Sequence, residues 1–201
     1  MQIRNTDHSY GVVSITLHWL AALSIAVMLV SALMMANATN RDEYVPLVKF
    51  HSSVGILILL LLAARIAWHF FARQPAKLSQ NPTLNRVASI VHATLLVLIG
   101  TQLVTGPVDV WSGGFPLRVF DWFTVPSLTG NVFKTEHDVI GDIHGVVGLT
   151  IGILVALHIA AVLKHAFIDR DNTLKRMIGA AGDAQSAQPQ SESADPGTQM
   201  P

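Results

Sequence analysis

Four stretches of about twenty mostly apolar residues constrain the fold more than any other feature of this chain. They lie at about 14–36, 47–70, 86–107 and 141–166. At about 1.5 Å of rise per residue, a helix of that length crosses the roughly 30 Å hydrocarbon core of a bilayer. Of the 201 residues, 51% are hydrophobic and only 13% are charged, which is unusual for a soluble domain. The sequence therefore predicts an all-α membrane protein, a four-transmembrane-helix bundle embedded in the lipid bilayer.

The distribution of lysine and arginine predicts how this bundle is oriented. Nine of the 13 basic residues fall on the side of the termini, and four fall on the other side, at Arg41, Lys49, Arg118 and Lys134. Basic residues are enriched in cytoplasmic loops and helix ends. We therefore expect both termini to lie in the cytoplasm. The first apolar stretch is too long for a cleaved signal peptide, so we expect it to remain as a span.

Composition also limits the domain organisation and the cofactors. We expect one four-helix domain over residues 1–178 and a disordered cytoplasmic tail over 179–201, because the tail is rich in Ala, Gln, Ser, Pro and Gly. The chain contains no cysteine, which excludes disulfides, cysteine-ligated iron–sulfur clusters and covalently attached c-type haem. It has no long basic run and no nucleic-acid-binding motif, so a nucleic-acid partner is not expected.

Four histidines fall inside the predicted spans at two matching depths. His144 and His158 are fourteen residues apart on the fourth span, which separates them by about 21 Å and returns them to within about 40° on the same helix face. His51 lies at the outer depth of His144, and His18 at the cytoplasmic depth of His158. The pattern thus predicts two bis-imidazole sites, with the pairs His51/His144 and His18/His158.

Paired imidazoles between helices are typical of haem b, which needs two axial ligands and a flat apolar slot. A single intramembrane histidine can also be a hydrogen-bonded packing residue, and a haem-free transporter or structural bundle is a further reading. A divalent-metal or proton pathway is another use of such groups. That pathway would favour acidic residues among the histidines, whereas Asp and Glu here lie at helix ends and in loops, apart from Asp142 at the outer end of the fourth span.

Several motifs together resemble bacterial cytochrome b561 over roughly residues 8–178. They are LHW at 17–19, KFHSSVGILIL at 49–59 with Arg65 after it, the G-x-P loop at 114–116, and IHGVVGLTIGILVALHIAAVLKHAFIDRDNTLKRM at 143–177. The spacing of fourteen between the last two histidines and the closing DNTLKRM are the most specific parts. The resemblance covers nearly the whole chain ahead of the tail.

This resemblance implies a bacterial inner-membrane protein that holds two haems b stacked across the bilayer. It implies His18 and His158 as iron ligands on the cytoplasmic side, and His51 and His144 as iron ligands on the outer side. It also implies electron transfer with the quinone pool of the respiratory chain, with ubiquinone as substrate. Some members act as superoxide oxidases, and related cytochrome b subunits instead conduct electrons for, or anchor, a soluble redox protein. Both roles stay open here. The outer loops carry seven acidic residues and four basic ones, so the charge of this surface would attract superoxide poorly.

Other residues have no fixed role at this point. His92 could compete as an inner ligand or contact a haem propionate, and His137 could replace His144 if the fourth helix begins earlier than expected. His69 and His165 fit polar interfacial positions. The long loop at about 108–140 is rich in aromatic residues, and it is either an interfacial anchor or a lid over the outer site. Catalytic residues and oligomeric state are not assigned.

Overall fold

Four long helices dominate the structure, a computed structural model that describes residues 2–76 and 81–179. Each helix is long and apolar enough to cross a membrane, with mean hydropathies of 2.0 to 2.6 over the best window. The predicted four-helix membrane bundle is therefore confirmed. The predicted tail from residue 180 onward lies outside the described residues. The helices are α1 (Val12–Ala36), α2 (Arg41–Phe71), α3 (Pro82–Ser112) and α4 (His137–Lys164).

The observed helices are longer than the apolar stretches because polar residues begin two of them outside the apolar region. At the start of α2, the Asn40 side chain accepts a hydrogen bond from the Glu43 N–H (3.0 Å), and Glu43 accepts one from the Thr39 N–H (3.0 Å). At the start of α3, Asn81 accepts from the Thr83 N–H at 2.9 Å, and Pro82 occupies the first turn. Such caps satisfy N–H groups that have no partner within the helix. Hydrophobicity marks the membrane-crossing part of each helix, and the caps set the starts of α2 and α3.

The helices pack in chain order, with α1 on α2, α2 on α3 and α3 on α4. The buried face of α1 consists of small residues, Ser14, Ala21, Ser24 and Ser31. Large apolar side chains point outward instead, as Leu60 (78% exposed) does on α2. Small residues at helix contacts and large apolar residues outside are the pattern expected where lipid surrounds the bundle.

The loop between α3 and α4 contains a β-hairpin that the sequence analysis did not predict. Its strands, β1 (Leu117–Val119) and β2 (Phe123–Val125), pair antiparallel. Leu117 and Val119 are 2% and 0% exposed, because β1 packs against α2. We call this end of the bundle the hairpin end, and the opposite end, where residues 2–11 and 165–177 lie, the terminal end.

At the terminal end, α4 continues into a π-helical turn, His165–Asp169, followed by the short helix α5 (Thr173–Met177). The chain turns at Arg170, whose φ of 52° is left-handed. Two long-range hydrogen bonds then fix α5 on the bundle. Trp19 Nε1–H donates to the Met177 carbonyl (2.8 Å), and Arg176 donates to the Ala76 carbonyl (2.8 Å). The closing segment of the predicted domain is thus part of the folded unit.

Candidate cofactor site

At the hairpin end, His51 of α2 and His144 of α4 face each other. Their ring centroids are 6.3 Å apart and the ring planes are nearly perpendicular, at 86°. Both side chains are half-buried. Helices α2 and α4 are not packing neighbours in this bundle, so the two rings meet across its interior. This is the pairing that matched depth predicts for the outer pair.

Each of these rings is held by a hydroxyl group at its Nδ1 atom. Ser31 Oγ of α1 lies 2.8 Å from His51 Nδ1, and Thr105 Oγ1 of α3 lies 3.1 Å from His144 Nδ1. The His144 ring also lies directly against Gly106, where a Cβ atom would be only 3.2 Å from His144 Cε1. Glycine therefore allows α3 to approach the ring closely enough for Thr105 to reach it.

The separation of the two rings fits a metal atom held between them. Because a metal–imidazole bond is about 2 Å long, two rings that ligate one metal from opposite sides have centroids about 6 Å apart. With Nδ1 occupied by a hydroxyl, each ring has Nε2 as its remaining nitrogen. Two imidazoles and no thiolate are a donor set that haem iron accepts. The residues of the hairpin end therefore fit a bis-histidine haem.

At the terminal end, three histidines lie together instead of two. His92 of α3 contacts His158 of α4, with ring centroids 5.3 Å apart at 68°. His18 of α1 is within electrostatic range of both rings. Arg65 of α2 lies close to His18 and His92. The structure thus places His18 and His158 in one cluster and adds His92, which the sequence analysis left outside the pair.

Helix packing distinguishes the two possible partners of His158. Helix α3, which carries His92, packs directly on α4, whereas α1, which carries His18, packs mainly on α2. A planar macrocycle needs a gap between the helices that supply its two ligands. The His92–His158 separation of 5.3 Å is also shorter than the roughly 6 Å that two rings on one metal require. Both features favour His18 over His92 as the second ligand.

His137 takes part in a different contact, at the start of α4. Its Nδ1 lies 2.9 Å from Ser112 Oγ and 3.5 Å from an Asp109 carboxylate oxygen. Helix α4 does begin at His137, earlier than expected, yet the ring that faces His51 is that of His144. His137 therefore joins α4 to the end of α3.

His165 belongs to a polar cluster in the π-helical turn at the terminal end. Its Nδ1 lies 3.0 Å from Asp169 and 2.8 Å from Asp171. Lys164 forms a second ion pair with Asp169 at 2.6 Å. Three such groups could hold a metal ion, but Lys164 already supplies a positive charge to the shared carboxylate. The cluster agrees with the polar interfacial position expected for His165.

The hairpin is fixed to α2 close to His51. The fully buried Ser53 hydroxyl donates to the Arg118 carbonyl (3.1 Å) and accepts from the Phe120 N–H (2.8 Å). Lys49 Nζ forms an ion pair with Asp121 at 2.7 Å. The Lys49 hydrogen bond, together with its charge, lowers the pKa of the exposed Asp121 carboxyl. The hairpin is therefore anchored on both sides of His51 along the chain.

Sequence reasoning missed three residues that build this region, Ser31, Ser53 and Thr105. The available signal was a hydroxyl residue inside an apolar span at the depth of a histidine. That signal is weak, because serine and threonine in a span also bond to their own helix or line helix contacts. Only the relative rotation of the helices identifies which hydroxyl reaches a ring.

These features together define a class of protein, a multi-pass membrane bundle with imidazoles clustered at two depths in its interior. Comparison with known proteins gives the family. Residues 9–180 match the family model described as prokaryotic cytochrome b561, and the chain belongs to this family. It is a membrane b-type cytochrome, which implies haem b binding and transmembrane electron transfer.

Two curated relatives from Escherichia coli K12 match most of the chain. "Cytochrome b561 homolog 2" is 33% identical over 181 residues, which cover 89% of this chain and 96% of that protein. "Cytochrome b561 homolog 1" is 25% identical over 173 residues, which cover 82% of this chain and 93% of that protein. The similarity therefore extends over almost the full length of both relatives.

Proposed function

We propose that this protein is a di-haem b cytochrome that carries electrons across the bacterial inner membrane to or from quinone. One haem is ligated by His51 and His144 at the hairpin end, and the other by His18 and His158 at the terminal end. The observation that carries the proposal is the His51–His144 pair, with 6.3 Å between centroids and a hydroxyl on each Nδ1. The inner pair is supported by helix packing and by the short His92–His158 separation of 5.3 Å.

The chemistry that the haems supply when bound is one-electron exchange. A haem held by two histidine side chains would leave the iron no free coordination position, so substrates would exchange electrons without binding to iron. The protein's own residues then orient the macrocycles, exclude water and balance charge. Arg65 has no ion pair with a described carboxylate and lies beside the inner histidines, so it can offset the negative charge of a propionate.

The distribution of basic residues supports an orientation with the terminal end in the cytoplasm and the hairpin end outside. Ubiquinone is the proposed mobile partner, because it is lipid-soluble and can reach a bundle whose helices face lipid. The charge at the hairpin end disfavours superoxide as the electron donor. Of the four basic residues there, Lys49 already forms an ion pair with Asp121, so the charge that could attract an anion is reduced.

A reduced-minus-oxidised visible spectrum of the detergent-purified protein, with a pyridine haemochrome count, tests the haem assignment. We expect two low-spin b haems per chain. His51→Ala or His144→Ala should remove one haem, and His18→Ala or His158→Ala should remove the other. His69→Ala, on a histidine assigned to neither site, is the matched control and should keep both. A haem-free but folded protein would refute the proposal.

His92 gives the sharpest test of the inner pair. If His18 is the ligand, His92→Ala keeps two haems and changes only the potential of the inner one. If His92→Ala removes a haem while His18→Ala does not, the inner assignment is wrong. Quinone reduction or quinol oxidation in proteoliposomes then tests the substrate. A protein that turns over only with a co-purified soluble partner would instead be an electron conduit or anchor.

A further inference from the structure

Each hydroxyl group at the hairpin end has a carbonyl acceptor in its own helix as well as a histidine neighbour. Ser31 donates its O–H to the Met28 carbonyl at 2.9 Å. Thr105 donates its O–H to the Thr101 carbonyl at 2.9 Å, with the Gln102 side-chain oxygen at 3.3 Å as the alternative acceptor. A hydroxyl has a single proton and two lone pairs. When the proton is donated to the helix carbonyl, each oxygen accepts a hydrogen bond from the histidine.

This direction fixes the tautomer of both rings. In this arrangement the Nδ1 atoms of His51 and His144, at 2.8 Å from Ser31 Oγ and 3.1 Å from Thr105 Oγ1, carry the proton and donate it. A neutral imidazole protonated on Nδ1 has its lone pair on Nε2. Each ring therefore has its Nε2 lone pair available to ligate a metal.

The same contacts fix the planes of the rings. The two hydroxyls belong to α1 and α3, the helices that do not carry these histidines. Each ring is thus held by its own helix and by a neighbouring one. Gly106 presses against the edge of the His144 ring and limits its rotation. The nearly perpendicular arrangement, 86° between the planes, follows from these constraints.

We propose that Ser31 and Thr105 are positioning residues that set the tautomer, the ring planes and the redox potential of the outer haem, an inference that rests on the proposed function. A hydrogen bond from Nδ1–H raises the basicity of a ligating imidazole. A more basic ligand stabilises ferric iron more than ferrous iron. Loss of either hydroxyl therefore raises the midpoint potential of the outer haem.

The terminal end provides an internal comparison. Among the residues that the structure describes, no hydrogen bond to a side-chain hydroxyl holds His18, His92 or His158. The inner rings contact other rings instead, as His18 does Trp19 and His158 does His92. The two haems are consequently expected to differ in potential, with hydroxyl control confined to the outer one.

The experiment compares holoprotein variants by EPR and by redox titration. Thr105→Val and Ser31→Ala remove one hydroxyl each, and Thr105→Ser restores the hydroxyl at position 105. Thr101→Val and Ser24→Ala are matched controls on α3 and α1, since neither side chain forms a hydrogen bond to a histidine ring in the part of the chain that the structure describes. Perpendicular imidazole planes give a strongly anisotropic ferric EPR signal, and rotation of a ring shifts its largest g value.

We expect the outer signal to shift in Thr105→Val and Ser31→Ala while the inner signal stays constant. The outer midpoint should rise, and a tenfold change in the ferric-to-ferrous stability ratio corresponds to about 59 mV. Thr105→Ser should restore the wild-type values. If Thr105→Val loses the outer haem altogether, retention by Thr105→Ser and Thr101→Val supports the same role.

The inference would be overturned if Thr105→Val and Ser31→Ala both kept two haems, with the outer g values and the outer midpoint potential unchanged. The proposed function would then still stand. A wild-type protein without haem at His51 and His144 would instead refute the proposed function itself. The haem count of the wild-type protein, made first, separates these two failures.

Discussion

Ser53 is expected to control how tightly the hairpin closes over the bundle. Its hydroxyl makes two hydrogen bonds to the hairpin backbone and is fully buried. Ser53→Ala leaves the Phe120 N–H and the Arg118 carbonyl without this partner. A buried polar group left unsatisfied costs about 1–3 kcal/mol. Phe120 also has a left-handed φ of 48°. This conformation costs a non-glycine residue about 1–2 kcal/mol, and the hydrogen bond from the Phe120 N–H to Ser53 helps to maintain it.

The corresponding change in the open fraction of the hairpin is about 5- to 150-fold, for about 1–3 kcal/mol. Hydrogen–deuterium exchange of peptides covering residues 117–125 measures it, with peptides from the middle of α4 as the internal reference. Ser52→Ala is the matched control, because the Ser52 hydroxyl bonds only to the Lys49 carbonyl of its own helix. Exchange of the hairpin equal to that of the control would show that Ser53 does not anchor it.

Three further outcomes are expected. Gly106→Ala should shift the outer haem spectrum, since its Cβ would lie 3.2 Å from His144 Cε1. Gly100→Ala is the control and should not shift it, because the nearest atom to its Cβ would be 4.0 Å away. The same spectrum in the two variants would contradict the close contact at Gly106. Asp121→Asn should loosen the hairpin in a proteolysis assay at neutral pH only. The lowered Asp121 pKa means that the ion pair stabilises above the ordinary carboxyl pKa and is lost as pH falls through the lowered value, so a difference that persisted in acid would count against this reason. If superoxide reacts at the hairpin end, its rate constant should rise with ionic strength, because screening weakens repulsion from a surface with more acidic than basic residues; a fall would indicate attraction.

The four helices and the depths of their histidines could be predicted because both follow from constants of the α-helix. The rise per residue places His144 and His158 about 21 Å apart on any straight helix. The hairpin could not be predicted in this way. Its strands are three residues long, too short for an alternating pattern to be recognised, and its aromatic residues are equally typical of a membrane interface. Leu117 and Val119 show their role only once α2 is in place.

The partners of each ring depend on helix rotation, which the sequence does not specify. Depth alone pairs His18 with His158, but it cannot show that His92 is rotated on α3 to contact the same ring. Nor can it select Ser31 and Thr105 from the other hydroxyl residues of the spans. Hydrophobicity alone indicates only weakly which side of a helix faces lipid. In these helices the large apolar residues point outward and the small residues point inward, so the two sides differ more in side-chain size than in polarity. The rotation of each helix about its axis is therefore set by packing between small residues, where even one methylene group changes how closely two helices pack.

The distribution of the proposed ligands over the helices would also make the spacing on α4 the most restrictive part of the sequence. His18 and His51 both lie in the first halves of their helices, and because α1 and α2 are antiparallel they end up at opposite ends of the bundle. Helix α4 must then supply a partner at both ends. A loop can change length without moving either site, whereas inserting one residue between His144 and His158 would rotate one of them by about 100° around the helix axis. The distance between the sites is thus fixed by one uninterrupted helix, and the chemistry of each site is adjusted by the neighbours that surround it.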